Sequence, residues 1–319
     1  MTSLTTSING ESKEEATNES PPVFDDEEQE AIVELRQLLL PKYKDDEWFS
    51  TYLDDSTLWR YLVARDMDVE KAQEMFISST DWKREQKLRQ RKTEYIEQKT
   101  RWSRIARRVF YGGIAPSHVQ TKTGGPVAFE RLGKIDLGGM YRHEEEFQNA
   151  LIGYMLYLED CWNSVRAHPG TKQQALIVND ATGLSLSFMW YVKTFKRIVD
   201  IGPANYPEVT YKVIIVNAPA AVTAIWAVVS AFLPARTKEK VVILGSDYME
   251  VVCNELKNGK DDLPDYLGGP VHYGEKVLPL CGEIEKAIEE VDVIEKSEST
   301  VAAEESDDDT DDNEPMLSL

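Results

Sequence analysis

From Val213 to Ala235 the chain runs for 23 residues without a charged side chain, in a protein whose formal net charge is −20. Such a run must leave water by crossing a membrane, entering a core or meeting another apolar surface. Asn217-Ala218-Pro219 interrupts it. A proline removes a helical donor and pushes its predecessor out of helical conformation, so the run is two elements. Val213 to Val216 is a block of β-branched residues, as in a strand buried on both faces. Residues 220–233, AAVTAIWAVVSAFL, then form a helix of about 14 residues, roughly 21 Å long at 1.5 Å per residue. That is too short for a bilayer core about 30 Å thick. A helix apolar on every side is either a core helix or one that meets lipid. It is followed by PARTKEK, with Arg236, Lys238 and Lys240. An apolar helix beside a cationic loop suits the tail and head of an amphiphile.

The charge lies at the ends. Residues 1–30 carry −8 and residues 283–319 carry −13, which leaves residues 31–282 at +1. Both ends are rich in Ser, Thr, Glu and Asp and poor in aromatics, so both read as mostly disordered, with a last helix to about residue 295. Ser306 and Thr310 precede acidic runs and are expected sites of acid-directed phosphorylation. Cys161, Cys253 and Cys281 stand far apart, an odd count that argues against a disulfide framework and for a reducing, cytosolic setting. The first twenty residues hold no basic region followed by an apolar one, so no signal peptide is expected.

Between the ends the texture changes once. DDEEQEAIVELRQLLLP from Asp25 predicts a helix stopped by Pro41, and residues 54–92 predict two more, the first capped by Asp55-Ser56 and broken at Asp66 to Asp68. Eleven Lys or Arg from Lys83 to Arg108 read as a solvated helical face or as a surface drawn to anionic lipid. Beyond KTGGPV, strands are predicted near 126–136, 174–180, 211–219 and 240–245, with amphipathic helices at about 144–166 and 185–202. Their alternation argues an α/β layer with a largely parallel sheet.

DDSTLWRYLVARDMDVEKAQEMFISSTDWKRE, KTGGPVAFERLG, NDATGLSLS, YPEVTYKVIIVNAP, FLPARTKEKVVILGSDY and LPDYLGG stand in this order across residues 54–270. Together they resemble the CRAL-TRIO lipid-binding family, particularly its yeast-type phosphatidylinositol transfer members. The resemblance implies an acidic tail at 1–26, an all-helical lobe at 27–110, an α/β lipid-binding domain at 111–282 and an acidic tail at 283–319. In that domain a mostly parallel sheet floors a hydrophobic pocket closed by a gate helix.

By motif position the resemblance implies a headgroup site of Arg65, Glu208, Thr237 and Lys240. Val209 and Asp66 stand where the family pattern has cations. It also implies a lipid cavity with Phe129, Ser185, Ser187, Val213 and Ile215, and a gate with Val222, Ile225, Trp226, Val229 and Phe232. Ser117 and Ala128 stand where members that also carry phosphatidylcholine have tyrosines. The second ligand is therefore open: phosphatidylcholine, a sterol or another lipid. The implied function is that of a soluble, monomeric carrier, cytoplasmic and in transient contact with membranes, with phosphatidylinositol as ligand and no cofactor. The alternative is a lipid-sensing module that presents its lipid to a protein. No P-loop, dinucleotide fingerprint, H-E-x-x-H or G-x-S-x-G is present, and His118, His143, His168 and His272 lie tens of residues apart. Neither an enzyme, a metal site nor nucleic-acid binding is expected.

Overall fold

The computed structural model describes residues 23–109, 112–167, 171–273 and 282–308. Helix α1 (Asp26–Tyr43) begins in a reciprocal cap, in which the Glu28 amide donates to the Asp25 carboxylate and the Asp25 amide to that of Glu28. It runs two residues past Pro41. In a last turn the missing donor costs a single bond, and burial of Leu39 and Tyr43 holds the end in place. The N-terminal boundary also moves, because Phe24 is buried against Trp59; residues 1–22 lie outside the described residues.

Helix α2 (Asp55–Val63) is capped by Asp54, whose carboxylate accepts from the Thr57 amide at 3.0 Å. The expected caps are used elsewhere: Asp55 pairs with Arg36, and Ser56 donates to the Thr171 carbonyl. Asp66 and Met67 then take left-handed backbone, φ +54° and +64°, and Asp68 caps α3 (Val69–Glu85). Helices α4 (Leu88–Glu97) and α5 (Arg101–Val109) complete the lobe.

Among the described residues five strands form one sheet in sequential order: β1 (Gly112–Ile114), β2 (Val127–Glu130), β3 (Ala175–Asp180), β4 (Thr210–Val216) and β5 (Val241–Ile243). Only the β1–β2 pair is antiparallel. Sequential order with right-handed crossovers puts every crossover on one face. Those crossovers are α6 (Leu137–Arg142) with α7 (Glu144–Arg166), then α8 (Val192–Val199) with α9 (Ile201–Asn205), then α10 (Ala221–Val229) with α11 (Ala235–Glu239). The other face is covered by α12 (Met249–Glu255) and residues 256–267, which bury Val252, Leu256, Leu263 and Leu267.

Two expected elements change form. The helix at 185–202 is a 3-10 segment, Leu186–Tyr191, followed by α8 and α9. The 14-residue gate is the nine-residue α10 with a 3-10 turn, Ser230–Phe232, before Pro234. Nor is α10 enclosed on all sides. Val222, Ile225 and Val229 are buried, whereas Thr223, Ala224, Ala227 and Val228 face outward.

The acidic C-terminal segment is the largest correction. Residues Ile284–Asp308 form a helix, α13, well past residue 295. Ile284, Ala287 and Val291 recur at helical spacing and are buried in one cluster with Ile105 and Val109 of α5. Around that seam Arg101 pairs with Asp292 and Glu295, Arg104 with Glu298, and Arg108 with Glu290. The basic stretch is thus largely paired within the chain. Lys83, at its start, is fully buried. Ser306 falls within α13, and Thr310 lies outside the described residues.

Candidate functional site

Strand register decides which residues meet the crossover helices. Residues two apart share a face of a strand. The register aligns Ala128, Ile177, Val213 and Val241 in one row and Glu130, Asn179, Ile215 and Ile243 in another. Ile177, Val213, Val241, Glu130, Asn179 and Ile215 line a cavity of about 360 Å³ between the sheet and the helices. Tyr154, Leu158 and Cys161 of α7 and Phe188 and Phe195 form walls, and Val222, Ile225, Trp226 and Val229 of α10 form the cover.

Three expected cavity residues and one expected gate residue lie elsewhere. Phe129 occupies the intervening row and packs on the opposite face of the sheet with Val252 and Leu263. Ser185 and Ser187 are exposed and hydrogen-bond to each other at 2.7 Å, because the turn after Asp180 brings Leu184 and Phe188 inward instead. Phe232, past the end of α10, packs outside the cavity beneath Lys196, whose Nζ is 5.4 Å from its ring centroid.

At one end the lining turns polar: Arg65, Glu208, Thr237 and Lys240 meet there, together with Arg236. Arg65 follows the C-terminus of α2, donates to the Ala64 carbonyl at 2.9 Å and forms no ion pair among the described residues. Glu208, entering β4, has a φ of +52°, uncommon for a residue with a Cβ. Buried Arg60 of α2 fixes it by donating to the Glu208 carbonyl at 2.6 Å, and Gln174 donates to the same oxygen at 3.0 Å. Its carboxylate accepts from Lys240 at 2.7 Å and Gln174 at 3.1 Å. Thr237 lies in α11, where Arg236 reaches back to pair with Asp66. The helical lobe therefore forms part of the rim.

Sequence reasoning missed Glu130 and Asn179 on the floor. Burial raises the Glu130 carboxyl above its ordinary pKa, against hydrogen bonds from Tyr157 and Asn179 that lower it. Burial likewise pushes the Cys161 thiol up, away from nucleophilic character at neutral pH. The available signal was a carboxylate in an otherwise apolar strand, VAFE. Among the described residues no cluster of three His, Cys, Asp or Glu could hold a metal, and no helix is long and apolar enough to cross a membrane. Cys161 and Cys253 are free thiols; Cys281 and His168 lie outside the described residues.

The profile of the CRAL/TRIO domain matches residues 110–269, and that of the CRAL/TRIO N-terminal domain matches residues 28–78. The chain belongs to the CRAL-TRIO family. A CRAL-TRIO domain-containing protein of Saccharomyces cerevisiae is 31% identical over 251 residues, covering 76% of this chain and 78% of that protein. The SEC14 cytosolic factor of Eremothecium gossypii is 28% identical over 78% of this chain and 79% of its own length. Protein real-time of Drosophila melanogaster is 28% identical over 86% of this chain, which spans only 40% of that longer protein. The crystal structure of Sfh5 superposes with a TM-score of 0.55 at 16% identity, covering 85% of this chain and 98% of the other, a likeness of fold. Membership places the chain among lipid-binding and lipid-transfer proteins and accounts for both lobes of the CRAL-TRIO fold.

Proposed function

We propose that this CRAL-TRIO protein carries one phosphatidylinositol molecule at a time, in exchange for a second lipid, between membranes and the cytoplasm. One observation carries the reading: one cavity joins a mainly apolar floor and cover to a rim bearing an arginine with no carboxylate partner among the described residues. Acyl chains would lie over Ile177, Val213 and Ile215, beneath α10, at about 0.8 kcal/mol per buried CH₂. Arg65 and Lys240 would hold the phosphate, Thr237 would donate to it, and Glu208 would accept from inositol hydroxyls.

Lys240 and Glu208 neutralise each other at the cavity rim. A phosphate competes for Lys240, and Gln174 remains on Glu208 when the lysine turns away. Entry requires α10 to move. Its outward apolar face, with Leu186 and the 81% exposed Trp190 on the adjoining 3-10 segment, supports transient contact of a monomer with a bilayer, where that opening costs least. No covalent step is needed for binding or exchange.

Arg65→Ala with Lys240→Ala should lower phosphatidylinositol transfer between two vesicle populations by roughly tenfold or more, with the fold and transfer of the second lipid retained. Equal loss for both lipids would overturn the headgroup assignment. Binding without net transfer would favour the lipid-presenting alternative.

A further inference from the structure

Of the eleven Lys and Arg from Lys83 to Arg108, seven pair with carboxylates and Arg107 lies over the Tyr95 ring. Among the described residues Lys87, Arg89 and Arg91 are left over, apart from Glu47 at 4.0 Å from Arg89. Lys87 and Arg89 are exposed and line an open groove at the start of α4 with Arg84, Gln90, Thr93 and Trp48. Trp48 is half-buried and stacks on Phe49 with ring centroids 4.4 Å apart, which holds an indole beside the two cations. No residue of this groove lines the lipid cavity.

The sequence supplies a complementary segment. Past Asp308, where α13 ends, stands DTDDNEPMLSL, residues 309–319: four acids, then Met316, Leu317 and Leu319. These residues lie outside the described ones, but their starting point is fixed. Glu298 of α13 pairs with Arg104, whose Nε donates at 2.8 Å to the carbonyl of Gln98, the residue after α4. From there the groove is one length of α4 away, about 15 Å at 1.5 Å per residue, and the rest of α13 adds about 15 Å in its own direction. The two points are thus at most roughly 30 Å apart, and eleven extended residues span up to about 36 Å.

We propose that residues 309–319 dock in this groove, with their acids on Lys87 and Arg89 and Met316 and Leu317 against Trp48. The docked segment continues the α13–α5 interface, in which acids of the same C-terminal region already neutralise Arg101, Arg104 and Arg108. An extended peptide can follow a groove down to the indole, whereas a planar bilayer cannot. Tethering through α13 also holds the segment at an effective concentration of about a millimolar, ahead of any free acidic partner. Its occupancy then decides whether this side of the helical lobe is open to other anions.

The test is carbodiimide cross-linking of the full-length protein at low salt, with peptide mapping of the monomer fraction. Lys87 should join to Asp309, Asp311, Asp312 or Glu314 at least fivefold more than Lys71, which is exposed at the opposite end of α3. Arg89→Glu should lower that yield at least fivefold. Met316→Ser with Leu317→Ser should lower it severalfold although every reacting group is still present. The link between Lys99 and Glu97, 3.2 Å apart, should be unchanged in each variant and reports an intact helical lobe. Equal yields at Lys87 and Lys71, or a Lys87 yield indifferent to Arg89→Glu, would overturn the inference. Links that form only between isotopically labelled and unlabelled chains would replace the intrachain segment with a second copy and also overturn it. So would the absence of links together with phosphatidylserine vesicle binding that is lost in Lys87→Glu with Arg89→Glu, since the occupant would then be a membrane.

Discussion

Asp66 places an acid where the family resemblance leads one to expect a cation, and the structure shows its use: it clasps Arg236 across the cavity rim. Both side chains are substantially exposed, and exposed pairs contribute only about 0.2–1 kcal/mol. Asp66→Lys should therefore leave stability within about 0.5 kcal/mol while making an already cationic rim more so. Affinity for phosphatidylinositol vesicles should rise a few-fold at low salt and return toward wild type at high salt, where screening shortens the reach of the added charge. Unchanged or weaker binding at low salt would show that the clasp does not restrain the rim. At this scale legibility followed chain geometry. Arg65, Glu208, Thr237 and Lys240 could be placed because each sits in a distinctive local motif. Phe129, Ser185 and Ser187 could not, since alternation says which residues share a face without saying which face meets the cavity. Glu130 was the overlooked cue: its carboxylate ends a strand whose every residue is buried.

Elements were readable where a periodic apolar pattern ran long, and lost where the pattern was short or composition argued the other way. Helix α7 matches the expected 144–166 at both ends, and β3 and β4 come within a residue or so at their starts. The three-residue β1 has two glycines and no alternation to read. The full length and the packing of helix α13 were hidden by its acids, although a last helix to about residue 295 was expected and Ile284, Ala287 and Val291 already marked one face. Those acids have a partner, the arginines of α5, and the pairing yields a prediction. Replacing Glu290, Asp292, Glu295 and Glu298 by their amides keeps the apolar seam and removes the counter-charges. Co-sedimentation with phosphatidylserine vesicles should rise at least tenfold at low salt, since each basic residue near an anionic surface contributes about 1 kcal/mol. Thermal stability should change little, because the pairs are partly solvated. Vesicle binding no stronger than wild type would mean that α5 does not face the membrane.

Across the whole molecule the two lobes are joined through charge buried between them, which composition could not foretell. Lys83 of α3 pairs with Glu159 of α7 at 2.7 Å; Tyr52 donates to the same carboxylate, and the Tyr206 ring centroid lies 3.8 Å from the ammonium. Read from the sequence, Lys83 opened a solvated face, because only the fold shows that α3 turns that residue toward α7. Burial lowers the Lys83 pKa to about 8, against the pull of Glu159. Burial would raise Glu159, but the Lys83 charge and the hydrogen bonds outweigh it, so its pKa falls below the ordinary 4.5. Between those two values the unfolded carboxyl holds a proton that the folded one does not. Its contribution is therefore complete above about 4.5 and is lost as pH falls through the folded value. Glu130 runs the other way: its raised carboxyl favours folding below 4.5 and loses that contribution as pH rises through its folded pKa. Glu159→Gln should cost about 3–5 kcal/mol at pH 7, because it strands a buried ammonium. Lys83→Met with Glu159→Leu should recover most of that loss, since an apolar pair of similar volume avoids desolvating two charges. Urea unfolding at pH 7 and at pH 4 separates the outcomes. The double variant should also lose the part of the acid sensitivity that belongs to Glu159, whereas a double variant as unstable as Glu159→Gln alone would show that the lobes are held by the ion pair itself rather than by the packing around it.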